Sequence, residues 1–449
     1  MVSAARWPDA AEGPTPLTFS PPTPGISRPA DEQIRLELTG PMRRVQIAAV
    51  AVALAGVLAC GCGEEDAPPA LSEAELQRLE ALGYVDWGEE PAEDAARGVV
   101  SWDRERAHSG YNLVTLPGLG RADLLDMAGE VVRSWTGGEV ERWKRAVLAR
   151  NRDFLVIVAQ GSRGNLRRGL LRLTWDGVLR WRRELPVHHY VVERSDGSLV
   201  VLTRRQRWLP HLASQTRLMD NGVAVLSPEG ELLEERSLYD ILASRPDLFA
   251  FLQIESGPDG PHPDFLHANF LHWMRRPTLA RRNSLYAPSN VMITLRNQDT
   301  IAIFDFEKGA LVWAWGQGEL LRPHDATVLA DGNILVFDNR VGEGASRIIE
   351  LDPIAREIVW EYPRGAASKF YSSTRGTVQR FPNGNTLIGE SSRGRAFEVT
   401  PEGDVVWEYR TPYRNKKGQP AAFRVERYPP SEIPIDATPA ALNESELER

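Results

Sequence analysis

Three of the eight histidines stand at nearly the same place before a hairpin-like run. His189 precedes Tyr190-Val191-Val192-Glu193, His267 precedes Ala268-Asn269-Phe270, and His324 precedes Asp325-Ala326-Thr327-Val328. Imidazole titrates near working pH and serves as a nucleophile when neutral or a charge-assisted donor when protonated. A single such histidine more often satisfies a local backbone group; three in register point to a shared task. His188 is expected on the opposite strand face from His189. His108, His211, His262 and His272 lack the register and read as surface or loop residues. Asn339, Arg340 and Arg347 follow the third histidine, and Tyr371 and Arg375 come later in Tyr371-Ser372-Ser373-Thr374-Arg375-Gly376. The guanidinium fork suits tetrahedral oxyanions, so the set reads as a pocket for an anion such as a sulfuryl group. Each arginine taken alone reads equally well as a solvated ion pair.

Residues this far apart meet only if the chain brings one repeat position to one axis. From about residue 111 the sequence repeats a glycine-containing turn followed by a β-rich run that often ends on Trp. Positions 129, 177, 230, 309, 356 and 403 mark six copies, 48, 53, 79, 47 and 47 residues apart. Such a period indicates a propeller or another repeat array. The long interval holds Ser237-Leu238-Tyr239-Asp240-Ile241-Leu242-Ala243 and Asp247-Leu248-Phe249-Ala250-Phe251-Leu252, both helix-like, which predicts an excursion or lid. Between the copies, Asp196-Gly197, Asp331-Gly332 and Asn383-Gly384 link strand-like runs, the strongest short hairpin signal. The expected fold is all-β: a six-bladed β-propeller over 111–415, with a helical insertion at about 236–262. Innermost strands border the central channel, so the histidines converge there. The thirteen Trp are assigned to packing between blades.

Composition narrows the function. With 53 Lys and Arg against 61 Asp and Glu, the net charge of −8 argues against broad phosphate neutralisation, so no nucleic-acid partner is expected. Two cysteines, Cys60 and Cys62, exclude a disulfide scaffold or a cysteine-ligated metal, and no acidic calcium loop repeats. Neither a metal nor a cofactor is expected. Residues 1–41 are rich in Pro, Ser, Thr and Ala and read as disordered, upstream of the true start. Met42-Arg43-Arg44, the apolar run Val45 to Ala59 and Cys60 read as a signal over 42–60. Val57-Leu58-Ala59-Cys60 resembles a bacterial lipobox, implying an exported protein held to a membrane by lipid on Cys60. Gly61 after the cysteine favours the outer membrane over inner-membrane retention. A single transmembrane anchor is the weaker alternative, because the run is short. A linker over 61–110 with a short helix at 71–82, and a tail over 416–449, complete the expected organisation.

The segments around the histidines resemble the arylsulfotransferase family. They are Asp264-Phe265-Leu266-His267-Ala268-Asn269, Val291-Met292-Ile293-Thr294-Leu295-Arg296-Asn297, Pro323-His324-Asp325, Asp331 to Asn339, and Gly376 to Asn385. The resemblance covers roughly 111–410 and is densest from 264 to 409. It implies a six-bladed propeller that moves a sulfuryl group from an aryl sulfate to a phenol, without a nucleotide donor, by ping-pong through a histidine. It places His267 and His324 among the supporting channel histidines, and either Arg340 or Arg347 as the sulfate-holding arginine. The chain departs from the family in two places. No histidine follows His324, where the nucleophile is expected near Tyr371 to Gly376, and Ala326 replaces a polar Asn. Either another residue such as His324 or His189 is the nucleophile, or the propeller binds anionic ligands without transfer.

Overall fold

The computed structural model describes residues 96–433 apart from 138–141, 161–166, 214–215, 255, 258–259, 262, 275, 365–369 and 416–417. The expected signal, Cys60, Cys62 and the helix at 71–82 lie outside the described residues.

The six turn positions that mark the repeat share one backbone conformation. Gly129, Gly177, Gly230, Gly309 and Gly403 have φ between 62° and 101°, and Arg356 takes the same left-handed conformation at φ 61°. That region is costly for a side chain, which is why glycine recurs. Arg356 is held there by its Nη2 donating to the Ala314 carbonyl at 2.6 Å. Each turn joins the third strand of a sheet to its fourth strand.

The result is a six-bladed β-propeller of antiparallel four- and five-stranded sheets. In chain order the inner strands of blades two to six are Arg142–Leu148, Val187–Glu193, Ala268–Trp273, His324–Val328 and Thr377–Arg380. Consecutive inner strands touch, from blade two to blade six and on to Arg424–Tyr428. That last strand is the inner strand of blade one and pairs with Tyr111–Leu116. At the other end of the chain, Gly98–Trp102 adds a fifth, outer strand to blade six by pairing with Val405–Arg410. The propeller therefore extends past the expected 111–415. Part of the expected linker and part of the expected tail are strands, because both sheets have edges that a distant segment can complete.

Packing between blades uses the outer-strand tryptophans. The indole N–H of Trp135 donates to the Trp175 carbonyl at 2.7 Å, Trp313 to Pro353 at 3.2 Å, Trp360 to Pro401 at 3.0 Å and Trp407 to Met127 at 2.9 Å. Each bond reaches the left-handed turn of the next blade, so the indole supplies both apolar area and a polar link. Blade three has no Trp in this slot. There Arg236 donates to the carbonyls of Phe306 at 3.1 Å and Glu307 at 3.3 Å.

The excursion lies between blades three and four, as expected, and contains a helix at Leu238–Ala243, N-capped by Ser237. The second expected helix does not form. Leu248 and Phe249 both donate to the Arg245 carbonyl, and this single turn is not continued. Leu252 N–H donates to Gln298 Oε1 and Gln317 Nε2 to the Ala250 carbonyl, which seats the excursion on blade four. A further helical segment, Pro277–Ala280, interrupts blade four between its first two strands.

Candidate functional site

At the entrance to the inner strands the backbone breaks its regular ladder. His189, His267, Asp325 and Arg375 all have positive φ, at 55°, 47°, 51° and 64°. They occupy blades three to six in succession. Register shifts accompany three of them: His189 and Tyr190 bulge out of their pairing, as do Asn269 and the pair Asp325 and Ala326. Bulges re-aim side chains, and repeated strain at non-glycine residues concentrates at functional sites.

His189 and His267 thus share one position. His324 sits one residue before the left-handed Asp325, as His188 sits before His189. The rings still gather. His189 and His267 have ring centroids 5.0 Å apart, and His188 and His189 are also 5.0 Å apart. His324 lies close enough to His189 to act on its charge, and His267 close enough to act on that of His324. His188 does not follow simple alternation. The bulge turns it inward, where Nε2 meets the Thr203 carbonyl at 3.0 Å and Asp264, Arg204 and His267 set its field.

The three histidines have different partners. His267 Nδ1 lies 2.9 Å from Asp264 Oδ2, while Asp264 Oδ1 accepts the His267 backbone N–H at 3.2 Å. His324 Nδ1 faces Asn339 Oδ1 at 2.6 Å and the Arg322 carbonyl at 3.1 Å. Those two acceptors place the proton on Nδ1 and leave the Nε2 lone pair uncommitted. His189 makes no hydrogen bond among the described residues. Burial, followed by the neighbouring histidines and Arg424, holds His189 well below its ordinary value. Burial, then Arg296 and Arg424, does the same to His324. Burial would raise Asp264, but His267, Arg204 and His188 outweigh it and hold the carboxyl below its ordinary range.

Cations crowd around these imidazoles and Asp264. Arg204 lies 3.4 Å from Asp264, and Arg296 and Arg322 each donate to Asn297 Oδ1. Arg168, Arg296 and Arg424 are each pushed down to about 10, by burial first. Arg424 is only 8% exposed, and its guanidinium has no hydrogen-bond or ion-pair partner among the described residues. A buried cation held next to neutral imidazoles is arranged to receive an anion.

Of the sequence-level candidates, His189, His267 and His324 are brought together. Tyr371 lies near enough to Arg296 to act on it, and Arg375 near Arg424. Asn339 positions rather than binds: it fixes His324 and donates through Nδ2 to the carbonyls of Ser372 and Arg375. Arg340 and Arg347 are engaged in ion pairs away from this group. Arg340 is ion-paired with Glu343, and Arg347 with Asp338 at 2.9 Å, on their own blade. Charged strand ends at a blade rim pair locally before they reach the axis. Asp264, Arg204, Arg296 and Arg424 were not singled out from the sequence. Asp264 stands three residues before His267, a visible signal, whereas Arg424 lies in the presumed tail.

The neutral histidines carry a stability consequence. Burial is the leading cause that pushes His188 down to about 3 and His272 to about 4, in company with His189 and His324. The folded state then binds fewer protons than the unfolded chain, so stability is complete above about pH 6.5 and falls on acidification. Asp299 and Asp325, each raised to about 6 by burial, work in the opposite sense between the ordinary carboxylate range and pH 6. Allowing about 2 kcal/mol for each of the four histidines and about 1 kcal/mol for each of the two carboxyls in the other direction, about 6 kcal/mol is lost between about pH 7 and pH 5. Urea denaturation at the two pH values measures it. An unchanged midpoint would mean that the folded protein protonates these rings.

A cavity of about 780 Å³ is lined by Arg145, Tyr190, Phe270, Asp325, Glu426 and Arg427, among others.

The chain is similar to several solved structures, all at low identity. One is a protein of unknown function from Bacteroides caccae, at 15% identity and a TM-score of 0.43, covering 72% of this chain and 100% of that one. A streptogramin B lyase matches at 13% identity and 0.41, covering 74% and 93%. A virginiamycin B lyase from Staphylococcus aureus matches at 10% identity and 0.41, covering 74% and 96%. No curated protein matches. The family description Arylsulfotransferase (ASST) matches residues 181–412, from the outer strand of blade two through blade six, a stretch that contains all three converging histidines and the Asp264 carboxylate. On that match, over more than half its length, this chain belongs to the arylsulfotransferase family.

Proposed function

We propose that the protein transfers a sulfuryl group from an aryl sulfate ester to a phenolic acceptor at the histidine end of the channel. The observation that carries this reading is the gathering of three imidazoles beside the buried guanidinium of Arg424, which has no partner among the described residues. A neutral imidazole offers the lone pair that attacks sulfur, and Arg424 and its neighbours supply donors for the three sulfuryl oxygens. The first phenolate leaves with the S–O electron pair. The acceptor oxygen then attacks sulfur, the S–N bond breaks, and the acceptor's proton ends on the released phenol. Family membership supports this chemistry, and the buried cations favour an anionic substrate.

The test is a chromogenic aryl sulfate with and without a phenol. Phenolate release that rises with acceptor concentration, together with a new aryl sulfate product, is the expected result. Silence across donors, with sulfate-ester binding intact, would leave a ligand-binding propeller instead.

We also propose export and anchoring through lipid on Cys60 at the periplasmic side of the outer membrane, supported by Val57-Leu58-Ala59-Cys60 after an apolar run. In bacterial cells fed an alkyne fatty acid, the wild type is expected to take the label and fractionate with membranes. Cys60→Ala is expected to lose both; retained label in that variant would refute the assignment.

A further inference from the structure

We infer that His267 is the residue that carries the sulfuryl group and that Asp264 is its positioning residue; this rests on the sulfuryl-transfer reading above. When Nε2 of an imidazole bonds to sulfur, the ring with its Nδ1–H becomes cationic. The nucleophile should therefore be the ring whose surroundings favour that charge.

Among the described residues, only one of the three has an anion on it. Asp264 Oδ2 lies 2.9 Å from His267 Nδ1, and its second oxygen is fixed by the His267 backbone N–H at 3.2 Å. The Asp264 backbone is held from behind, because Asn297 Nδ2 donates to its main-chain carbonyl at 2.6 Å and Arg296 and Arg322 hold Asn297, while Arg204 Nη1 lies 3.4 Å from Oδ2 of the carboxylate. This sets the proton on Nδ1 and leaves Nε2 without a partner among the described residues. The side chain is also 26% exposed, so an ester can reach it.

The alternatives face the wrong field. His324 gives its Nδ1 to two neutral oxygens, and the charges that act on it include Arg296, Arg424 and His267, all opposing a positive ring. His189 is surrounded by His188, His267, Arg424 and His324, again all opposing. Both suit hydrogen bonding to sulfuryl oxygens better than covalent attachment.

The steps balance. Nε2 of neutral His267 attacks sulfur, the S–N bond forms, and the S–O bond to the aryl group breaks with its electron pair on the departing phenolate. The sulfo-imidazolium stays ion-paired to Asp264 until the acceptor oxygen attacks sulfur and returns the S–N pair to Nε2. The acceptor's proton neutralises the first phenolate through solvent.

The experiment is rapid quench of the full-length enzyme with [35S]4-nitrophenyl sulfate and no acceptor, followed by peptide mapping at alkaline pH. Wild type is expected to show a burst of nitrophenolate and label on the peptide containing His267. His267→Gln is expected to lose burst and label, while His189→Gln and His324→Gln keep label at lower rates. Asp264→Asn is expected to slow the burst about 10²–10⁴-fold with KM changed little, and Asp264→Glu to recover part of the rate. Label mapped to His189 or His324 in the wild type, which needs no variant to fold, overturns the assignment but leaves sulfuryl transfer standing. A wild type with neither burst nor label for any aryl sulfate overturns both. Asp264→Asn with the wild-type burst rate overturns the positioning role.

Discussion

Arg424→Gln is expected to lower kcat/KM for an aryl sulfate by about 10²–10³-fold, the usual loss when one donor to a transition-state oxyanion is removed. Arg424 is the first residue of the ring-closing strand, paired across to Thr115, and it acts on both His189 and His324. Burial disfavours its charge, as does Arg145, and Asp325 and Glu426 only partly compensate. The folded protein thus keeps a costly cation beside the imidazoles. Removing that charge relieves a desolvation penalty, so the variant should melt no lower than wild type. This pairing of lost turnover with undiminished Tm distinguishes a ligand-binding cation from a structural one. Turnover within about threefold of wild type would remove Arg424 from the sulfuryl site.

The second large effect concerns the clasp that closes the ring. Arg427 lies on the same strand, fully buried against Glu398 of blade six, with Nε donating to Asn112 Oδ1 at 2.8 Å and Nη1 to the His108 carbonyl at 2.7 Å. Its guanidinium also lies over Trp407, 4.7 Å from the ring centroid. One side chain therefore ties blade one, blade six and the segment after Trp102. Arg427→Met leaves Glu398 charged and buried without its cation, which typically costs about 3–5 kcal/mol. That is a large share of the roughly 5–15 kcal/mol by which domains are stable. The double variant Arg427→Met with Glu398→Leu should recover much of the loss, since no charge is left stranded. A chain ending before Arg424 loses the entire inner strand of blade one and should not fold cooperatively. Thermal and urea denaturation followed by circular dichroism decides both. A single variant within about 1 kcal/mol of wild type would show that the clasp is dispensable.

Most of the architecture could be read before any coordinates, and the reason is local. A turn that needs positive φ selects glycine, so five of the six marker positions are glycine and the period is visible. Arg356, at the sixth, shows that the backbone demand rather than the residue type repeats. Outer-strand tryptophans were likewise legible as packing, although Arg236 takes their role in blade three without any sign in the composition. The helix at Leu238–Ala243 was readable from its own residues, whereas the one expected at Asp247–Leu252 was not realised because its first turn is not extended.

The site divides along the same line. The primary structure alone determined six β-meanders and which imidazoles sit at their entrances, because turn chemistry and strand alternation act over a few residues. The closure of the ring by a strand from each end of the chain, the bulges that turn His188 and His189 toward one neighbourhood, the loss of Arg340 and Arg347 to rim ion pairs, and the arrival of Arg424 beside the histidines were decided only by the tertiary structure. Ring closure and the arrival of Arg424 depend on segments hundreds of residues apart, whereas the bulge and the rim ion pairs form within one blade, where burial and charge pairing choose among partners that no local pattern distinguishes.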